Sequence, residues 1–453
     1  MKIKNLWAVS LLLLLGMATL RAQERKRLSL DEAITLATTK STEAALADTR
    51  VATSGLEVSN MKNNIYPDFK LSGQYLRVNE PTIKLQMPLD FDEGEPVEGE
   101  EESGSSGKVS SVGIAQASLS MPVFSGYRLK NSIAASESLY NAHKFNAASV
   151  KEQLAMQTIM LYVNLYKAQQ SVKLIEENLK SANQRVTDFT AMEQNGLLAR
   201  NDLLRSQLQS SNIELSLEDA RKTISTLNYQ LVTLLKLPGG TIIEPDEAYF
   251  KNAGSVRPSV TEADAIAQRS DLEALRWQQK AQEAGVKVAE ADYYPSLAIT
   301  AGYVAADIEN FMQIYNAVNV GIGISYDISG IFKTGKKVKA EKSRAEELRQ
   351  QGEILSDRIK VQVQQALENY NLSIKQNRVY TQAVEQAGEN YRIVNDKYEN
   401  GLSDTNDLLE ADVQQLQARL NEAFSKADIT QRYYELLNAS GKLTTSFNLT
   451  TNN

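Results

Sequence analysis

Asn195-Gly196-Leu197-Leu198-Ala199-Arg200-Asn201-Asp202-Leu203-Leu204 returns as Asn400-Gly401-Leu402-Ser403-Asp404-Thr405-Asn406-Asp407-Leu408-Leu409. Each copy lies between two long stretches with helical patterning. Upstream, Tyr66-Pro67 recurs as Tyr294-Pro295, each ending a helix and opening a strand. Each half therefore reads helix, strand, strand, very long helix, turn, helix. A duplicated unit that cannot bury its own faces points to stacking and assembly before it points to catalysis. The expected layout is a first repeat over residues 23–240, a connector at 241–260, a second repeat over 261–440 and a tail at 441–453. The turns sit near 195–202 and 400–407.

The stretch from Met156 to Phe189 alternates in steps of four and three through Leu161, Leu165, Ala168, Val172, Ile175, Leu179, Ala182, Val186 and Phe189. That is a heptad seam, which keeps one stripe facing a partner helix. No proline falls between Val123 and Leu237, and Gly196 is the first glycine after Gly126. A helix of roughly 65 residues rises about 100 Å. The second copy runs from about Gly335 to Tyr398, with a more polar seam: Leu367, Tyr370, Ile374, Asn377, Thr381, Val384, Gly388 and Tyr391. The return helices carry Leu217, Ala220, Ile224, Leu227, Leu231 and Leu234 in one half. In the other they carry Val413, Leu416, Leu420, Ala423, Ala427, Thr430, Tyr434 and Leu437. Shorter helices are expected at Asp31–Ile65 and Thr261–Tyr293, two laid end to end matching one long helix. Rods of this length are out of place in a compact domain.

Four segments alternate with period two, at 68–78, 109–123, 296–305 and 318–328. Their apolar sets are Phe69, Leu71, Gly73, Tyr75; Ala115, Ala117, Leu119, Met121; Leu297, Ile299, Ala301, Tyr303; and Val318, Val320, Ile322, Ile324, Tyr326, Ile328. An apolar face opposed to a small polar one suits a membrane barrel, and equally a half-buried soluble sheet. Membrane barrels need about eight strands or more, and open edges are not tolerated in lipid. A membrane reading therefore forces an oligomer. Three chains with about twelve strands fit better than two, because eight-stranded barrels are filled by side chains.

Residues 1–22 read as a secretory signal, with Lys2 and Lys4 before the apolar run Ala8–Leu20. Its removal takes Lys2, Lys4 and Arg21 with it and moves the formal net charge from −7 to −10. The chain has no cysteine, hence no disulfide, thiolate metal site or lipidated cysteine. The acidic balance, with no basic domain, argues against nucleic acid. The acidic loop at 90–102 reads as a solvated segment. Arg128, Lys130, Lys333, Lys336, Lys337 and Lys339 follow the strands as a basic rim. His143 is the only histidine, which excludes His-pair zinc sites and leaves little for a triad. No enzyme, cofactor or metal is indicated.

In this order and in duplicate, these pieces resemble the TolC family of bacterial outer-membrane efflux proteins. The pieces are the Leu30-Asp31-Glu32-Ala33 helix start, the Tyr-Pro helix ends, Met121-Pro122-Val123-Phe124-Ser125-Gly126 and the two Asn-Gly-Leu turns. The resemblance implies an α+β fold: a homotrimeric 12-stranded outer-membrane β-barrel, four strands per chain, continuous with a long periplasmic α-helical coiled-coil barrel. It implies an exit duct of a tripartite efflux or type I secretion system, set in outer-membrane lipid. The partners would be a periplasmic adaptor (membrane fusion protein) and an inner-membrane pump of RND or ABC type. Asp407 and Glu410 match an acidic ring at the periplasmic entrance, and Asp202 and Tyr398 match a gate network whose arginine is here Ser403. Gly196, Leu197, Gly401 and Leu402 match the tips that meet the adaptor. The alternatives are a rod-like periplasmic coiled-coil scaffold without transport and a simple porin-like pore.

Overall fold

The computed structural model describes residues 25–79, 109–251, 254, 259–309 and 312–447. The signal segment, the acidic loop at 90–102, part of the connector at 241–260 and the tail beyond 447 lie outside them. The chain divides into two compact units.

The smaller unit comprises residues 53–140 and 277–349 and holds a four-stranded antiparallel sheet. Its strands are β2 (Asp68–Arg77), β3 (Ser111–Ser125), β5 (Ser296–Ile308) and β6 (Met312–Ser325), in the order β2-β3-β5-β6. Directly paired residues point to the same face, so register decides how the four patterns combine. Leu71 pairs with Ala117, Ala117 with Tyr303, and Tyr303 with Val318. The next rungs join Phe69, Leu119, Ala301 and Val320, then Met121, Ile299 and Ile322. All four apolar sets thus fall on one face, and that face is exposed: Leu71, Val318, Val320, Ile322 and Ile324 all project into solvent. The opposite face carries Lys70, Ser118, Gly302 and Asn319, and its last rung is a row of serines, Ser125, Ser296 and Ser325.

The second hairpin differs from the expected 296–305 and 318–328. β5 runs on to Ile308, β6 begins earlier at Met312 and ends earlier at Ser325, and a bulge between Val304 and Ala306 shifts their register. A bulge inserts one residue and breaks the period-two reading at that point. A second bulge between Pro122 and Phe124 lets β3 keep pairing past a proline that cannot donate to the ladder.

The larger unit comprises residues 25–52, 141–276 and 350–447 of the described chain. Here α1 (Leu30–Lys40) and α2 (Thr42–Asn63) replace the single helix expected over 31–65. The Ser41 hydroxyl accepts from Ala44 N–H at 3.1 Å and starts a new helix, as the Ser29 hydroxyl does from Glu32 N–H. Likewise, after the single-turn α5 (Ala248–Lys251), α6 (Glu262–Gln268) and α7 (Ser270–Glu290) are separated by extended Arg269. The two long helices are α3 (Arg128–Gln194, 67 residues) and α8 (Gly330–Glu399, 70 residues), which contribute to both units. Their return helices are α4 (Arg200–Leu234) and α9 (Thr405–Ala439).

Short strands β1 (Arg25–Leu28) and β4 (Ile242–Pro245) pair in parallel beside the main core of this unit. That core packs Leu28, Ile34, Ile159, Leu165, Leu231 and Ile243 around fully buried Tyr162. The Tyr162 hydroxyl donates to Leu28 O and accepts from Asp246 N–H, each at 2.7 Å, so burial leaves no polar atom unpaired.

The α3 seam from Leu161 to Phe189 is buried or half-buried throughout. The seam assigned to α9 is not. Val413 is turned outward, while Asp412 is turned in beside Ala411. The α8 seam is interrupted at exposed Thr381 and is half-buried again at Val384, Gly388 and Tyr391.

Candidate functional site

Both interhelical turns are built the same way. Gly196 and Gly401 each have φ +71°, a left-handed conformation that glycine adopts without side-chain strain. Leu197 N–H donates to Met192 O at 2.8 Å and Gly196 N–H to Glu193 O at 3.0 Å; Leu402 N–H donates to Lys397 O and Gly401 N–H to Tyr398 O at the same distances. This double closure satisfies the carbonyls left over at a helix end. Asn195 and Asn400 each reach back from Nδ2 to a carbonyl one turn earlier. The geometry leaves Leu197 and Leu402 standing out at 73% and 77% exposure.

The helix starts after the turns differ. Asp404 caps α9 by accepting from Asn406 and Asp407 N–H, whereas Ala199 gives α4 no side-chain cap. Asp407 and Glu410 both lie on the exposed side of α9, opposite buried Thr405, Leu408 and Ala411. One turn apart, they share a helix face. Asp407 Oδ2 accepts from the Ser403 hydroxyl at 2.7 Å, and Glu410 Oε1 accepts from Gln414 at 3.0 Å.

The two turns meet in one apolar cluster. Phe189, Leu203 and Leu408 are its buried centre, flanked by Val186, Met192, Leu198, Tyr391, Val394 and Tyr398. Tyr398 stacks on Phe189 with ring centroids 5.6 Å apart. Burial raises the Tyr398 phenol above its ordinary pKa, and the nearby Asp202 carboxylate adds to that rise. Asp202 itself is half-buried, with Arg205 Nη1 at 3.9 Å. So Asp202 and Tyr398 are brought into one electrostatic neighbourhood without a direct hydrogen bond among the described residues. Arg200 reaches Glu193 at 3.5 Å rather than Tyr398.

Sequence reasoning missed the polar link above this cluster. Arg185 Nη1 donates to Asp412 Oδ2 at 3.1 Å and Nη2 donates to the Tyr391 hydroxyl at 3.2 Å. Asn178 Nδ2 donates to Asp412 Oδ1 at 3.1 Å. Burial pulls the Arg185 pKa down, but Asp412 and Tyr391 overcome it and the net shift is upward. The link joins α3, α8 and α9, hence both hairpins. The signal available in the sequence was an arginine and an aspartate each flanking an apolar seam. No group of three or more His, Cys, Asp or Glu side chains suited to a metal occurs among the described residues. Nor is any helix among them long and apolar enough to cross a membrane.

The family model described as outer membrane efflux protein matches residues 263–442. The outer membrane efflux protein BepC of Brucella suis biovar 1 (strain 1330) is 23% identical over 343 residues, covering 74% of this chain and 73% of that protein. Among solved structures, the CmeC outer membrane channel of Campylobacter jejuni superposes with a TM-score of 0.77 at 16% identity, over 91% of this chain and 86% of that one. The outer membrane protein VceC of Vibrio cholerae gives 0.74 at 16% identity, over 91% and 96%. This architecture, an exposed four-stranded sheet with two long helical hairpins, is their fold. Residues 263–442 thus match the family of outer membrane efflux proteins, the family of TolC, and the fold of the chain is the one those solved outer-membrane channels share.

Proposed function

We infer that this protein is the outer-membrane exit duct of a tripartite efflux system, working as a homotrimer. One observation carries the reading. The apolar face of the sheet is exposed in the single chain, and among the described residues its outer strands β2 and β6 each have a neighbour on one side only. An open edge beside an apolar face is unsatisfied in lipid, and a closed ring of copies removes both edges at once. Head-to-tail contacts between β6 of one copy and β2 of the next form a ring when the rotation closes. Three copies give about twelve strands, wide enough to leave the small polar face lining a water-filled lumen.

The same closure sets three α9 N-termini around one axis. Asp407 and Glu410 then form an acidic ring at the entrance, which attracts cations and repels anions. The Asp202–Tyr398 neighbourhood, together with the buried Arg185–Asp412 link, holds the second hairpin against the first and keeps the entrance narrow. The exposed pair Leu197 and Leu402, on Gly196 and Gly401, is the contact for a periplasmic adaptor, which couples the duct to an inner-membrane pump. A leader removed on export, a first repeat over 23–240, a second over 261–440 and a connector between them complete the domain plan.

The test is reconstitution. Protein extracted from the outer-membrane fraction should migrate as a heat-sensitive trimer and insert into planar bilayers as discrete, cation-selective conductance steps. A detergent-free soluble protein that gives no steps would point to the periplasmic scaffold instead.

A further inference from the structure

Above the turns, the four long helices of the larger unit lie in the order α4-α3-α9-α8. Helix α3 packs on α4 through Ile175, Ala182, Ile213 and Leu217. It meets α9 through the ion pairs Lys167–Asp428 and Glu177–Arg419. In turn α9 packs on α8, with Ile429 and Leu436 against Ile359 and Tyr370, and with the Ser425 hydroxyl accepting from Asn377 Nδ2 at 2.8 Å. The outer helices α4 and α8 bury one side in these contacts and turn the other outward.

Both outward sides carry an apolar seam. On α4, Leu208, Leu215 and Tyr229 are 64%, 71% and 73% exposed, with Leu204 half-exposed one turn below them. On α8, Leu372 and Val379 are more than half exposed and Ile393 is 40% exposed. Single exposed leucines are ordinary on a protein surface, but a continued heptad seam is the mark of a helix with a partner. The two seams also match. Leu208, Leu215 and Tyr229 are separated by one heptad and then two, and so are Leu372, Val379 and Ile393. Helix α4 climbs away from its turn while α8 descends to its own, so side by side they run antiparallel. The apolar cluster shared by the two turns keeps their depths alike. At a rise of about 1.5 Å per residue, Leu208 and Ile393 stand about 12 and 9 Å from the turns, and Tyr229 and Leu372 about 44 and 40 Å. The end members thus come level, and Leu215 and Val379 fall into each other's gaps. Beside Tyr229 a cavity of about 670 Å³ opens, walled by Ile224, Val232 and Leu237.

We propose that α4 of one copy packs against α8 of the next. Leu208 lies beside Ile393, Leu215 and Val379 interleave, and the cavity at Tyr229 receives Leu372. The occupant of each seam is a second copy of this chain, because the two seams are complementary and sit on opposite flanks of the four helices. Two different patches that fit each other make a head-to-tail contact, which closes into a ring. The proposal rests on the ring of copies inferred from the sheet and gives it a second, helical contact.

The test is disulfide trapping in outer membranes, read on denaturing gels. Leu208→Cys with Ile393→Cys, and Tyr229→Cys with Leu372→Cys, should each give covalent species of two and three chains. The mismatched pair Leu208→Cys with Leu372→Cys, about 28 Å apart in depth, should give monomers. Monomers from the matched pairs, or equal linking by the mismatched one, would overturn the contact. So would a cysteine replacing Leu208 that links only to a different protein, since the seam would then belong to that partner. Leu208→Asp with Tyr229→Asp, at positions exposed in the single chain, should lower the dissociation temperature of the trimer by several degrees and leave helix content unchanged. An unchanged dissociation temperature would also overturn it. If β2 and β6 still link between copies while both helix pairs stay monomeric, the helical contact alone falls; loss of both removes the ring itself.

Discussion

Arg185 and Asp412, 227 residues apart in sequence, form an ion pair at 3.1 Å with side chains only 9% and 4% exposed. A pair this buried adds little net stability over an apolar replacement, but losing one member strands the other charge. Asp412→Leu should therefore cost about 3–5 kcal/mol of unfolding free energy, whereas Arg185→Leu with Asp412→Leu together should cost much less. Denaturant unfolding of the detergent-solubilised protein checks both. The single variant should also conduct more at rest, since the link ties the two hairpins together.

Two glycines with similar φ should respond very differently to alanine. At Gly401 an added Cβ meets nothing within 4 Å, so Gly401→Ala carries only the strain of a positive φ, about 1 kcal/mol. At Gly126, φ +61°, the same atom would lie 2.6 Å from Ala291 O. Gly126→Ala must displace backbone at the strand-to-helix junction and should lower the melting temperature several degrees further.

How far the sequence could be read varies with how local the determinants are. The α3 seam was legible because one unbroken stripe stays turned inward through three successive clusters, from the main core past Ile213 and Leu217 to the turns. The matching stripe on α9 was misread at Val413, because the helix carries apolar residues on two sides and nothing local says which side turns inward. The breaks at Ser41 and Arg269 were hidden inside continuous helical periodicity. Ser41 signals its break only by a cap to Ala44 N–H, and Arg269 because Gly441 approaches that backbone. The Arg185–Asp412 link depends on two hairpins meeting, which no window of sequence contains.

Alkaline pH should destabilise the larger unit. Burial, reinforced by Asp31, pushes the Tyr249 phenol up to about 12 from 10.0, and burial likewise raises Tyr162 and Tyr434. An acid with a raised folded-state pKa keeps its proton while the unfolded chain loses one. The stability it contributes is thus intact below pH 10.0 and is lost as pH climbs toward about 12. Tyr249→Phe should flatten this loss, read as unfolding midpoint against pH.

The exposed tips offer a clean separation of folding from docking. Leu197→Asp with Leu402→Asp should leave the melting temperature within about 1 °C, because neither side chain is packed. The same pair should abolish crosslinking to the periplasmic adaptor. Retained crosslinking would move the contact elsewhere.

Neutralising the entrance acids should change selectivity rather than assembly. Asp407→Asn with Glu410→Gln should shift the reversal potential in a salt gradient toward anions while trimer migration is unchanged. An unchanged reversal potential would remove these residues from the lumen.

The most direct measurement concerns the two outer strands. The chain has no cysteine, so introduced ones report without background. In a single sheet β2 and β6 are separated by two strands, about 14 Å, too far for an intrachain disulfide. With Val320→Cys fixed and single cysteines moved along 69–75, oxidation in outer membranes should give covalent species that stop at three chains, at one register of β2 against β6. Monomers at every position, with the protein dissolved in the periplasm, would contradict the account.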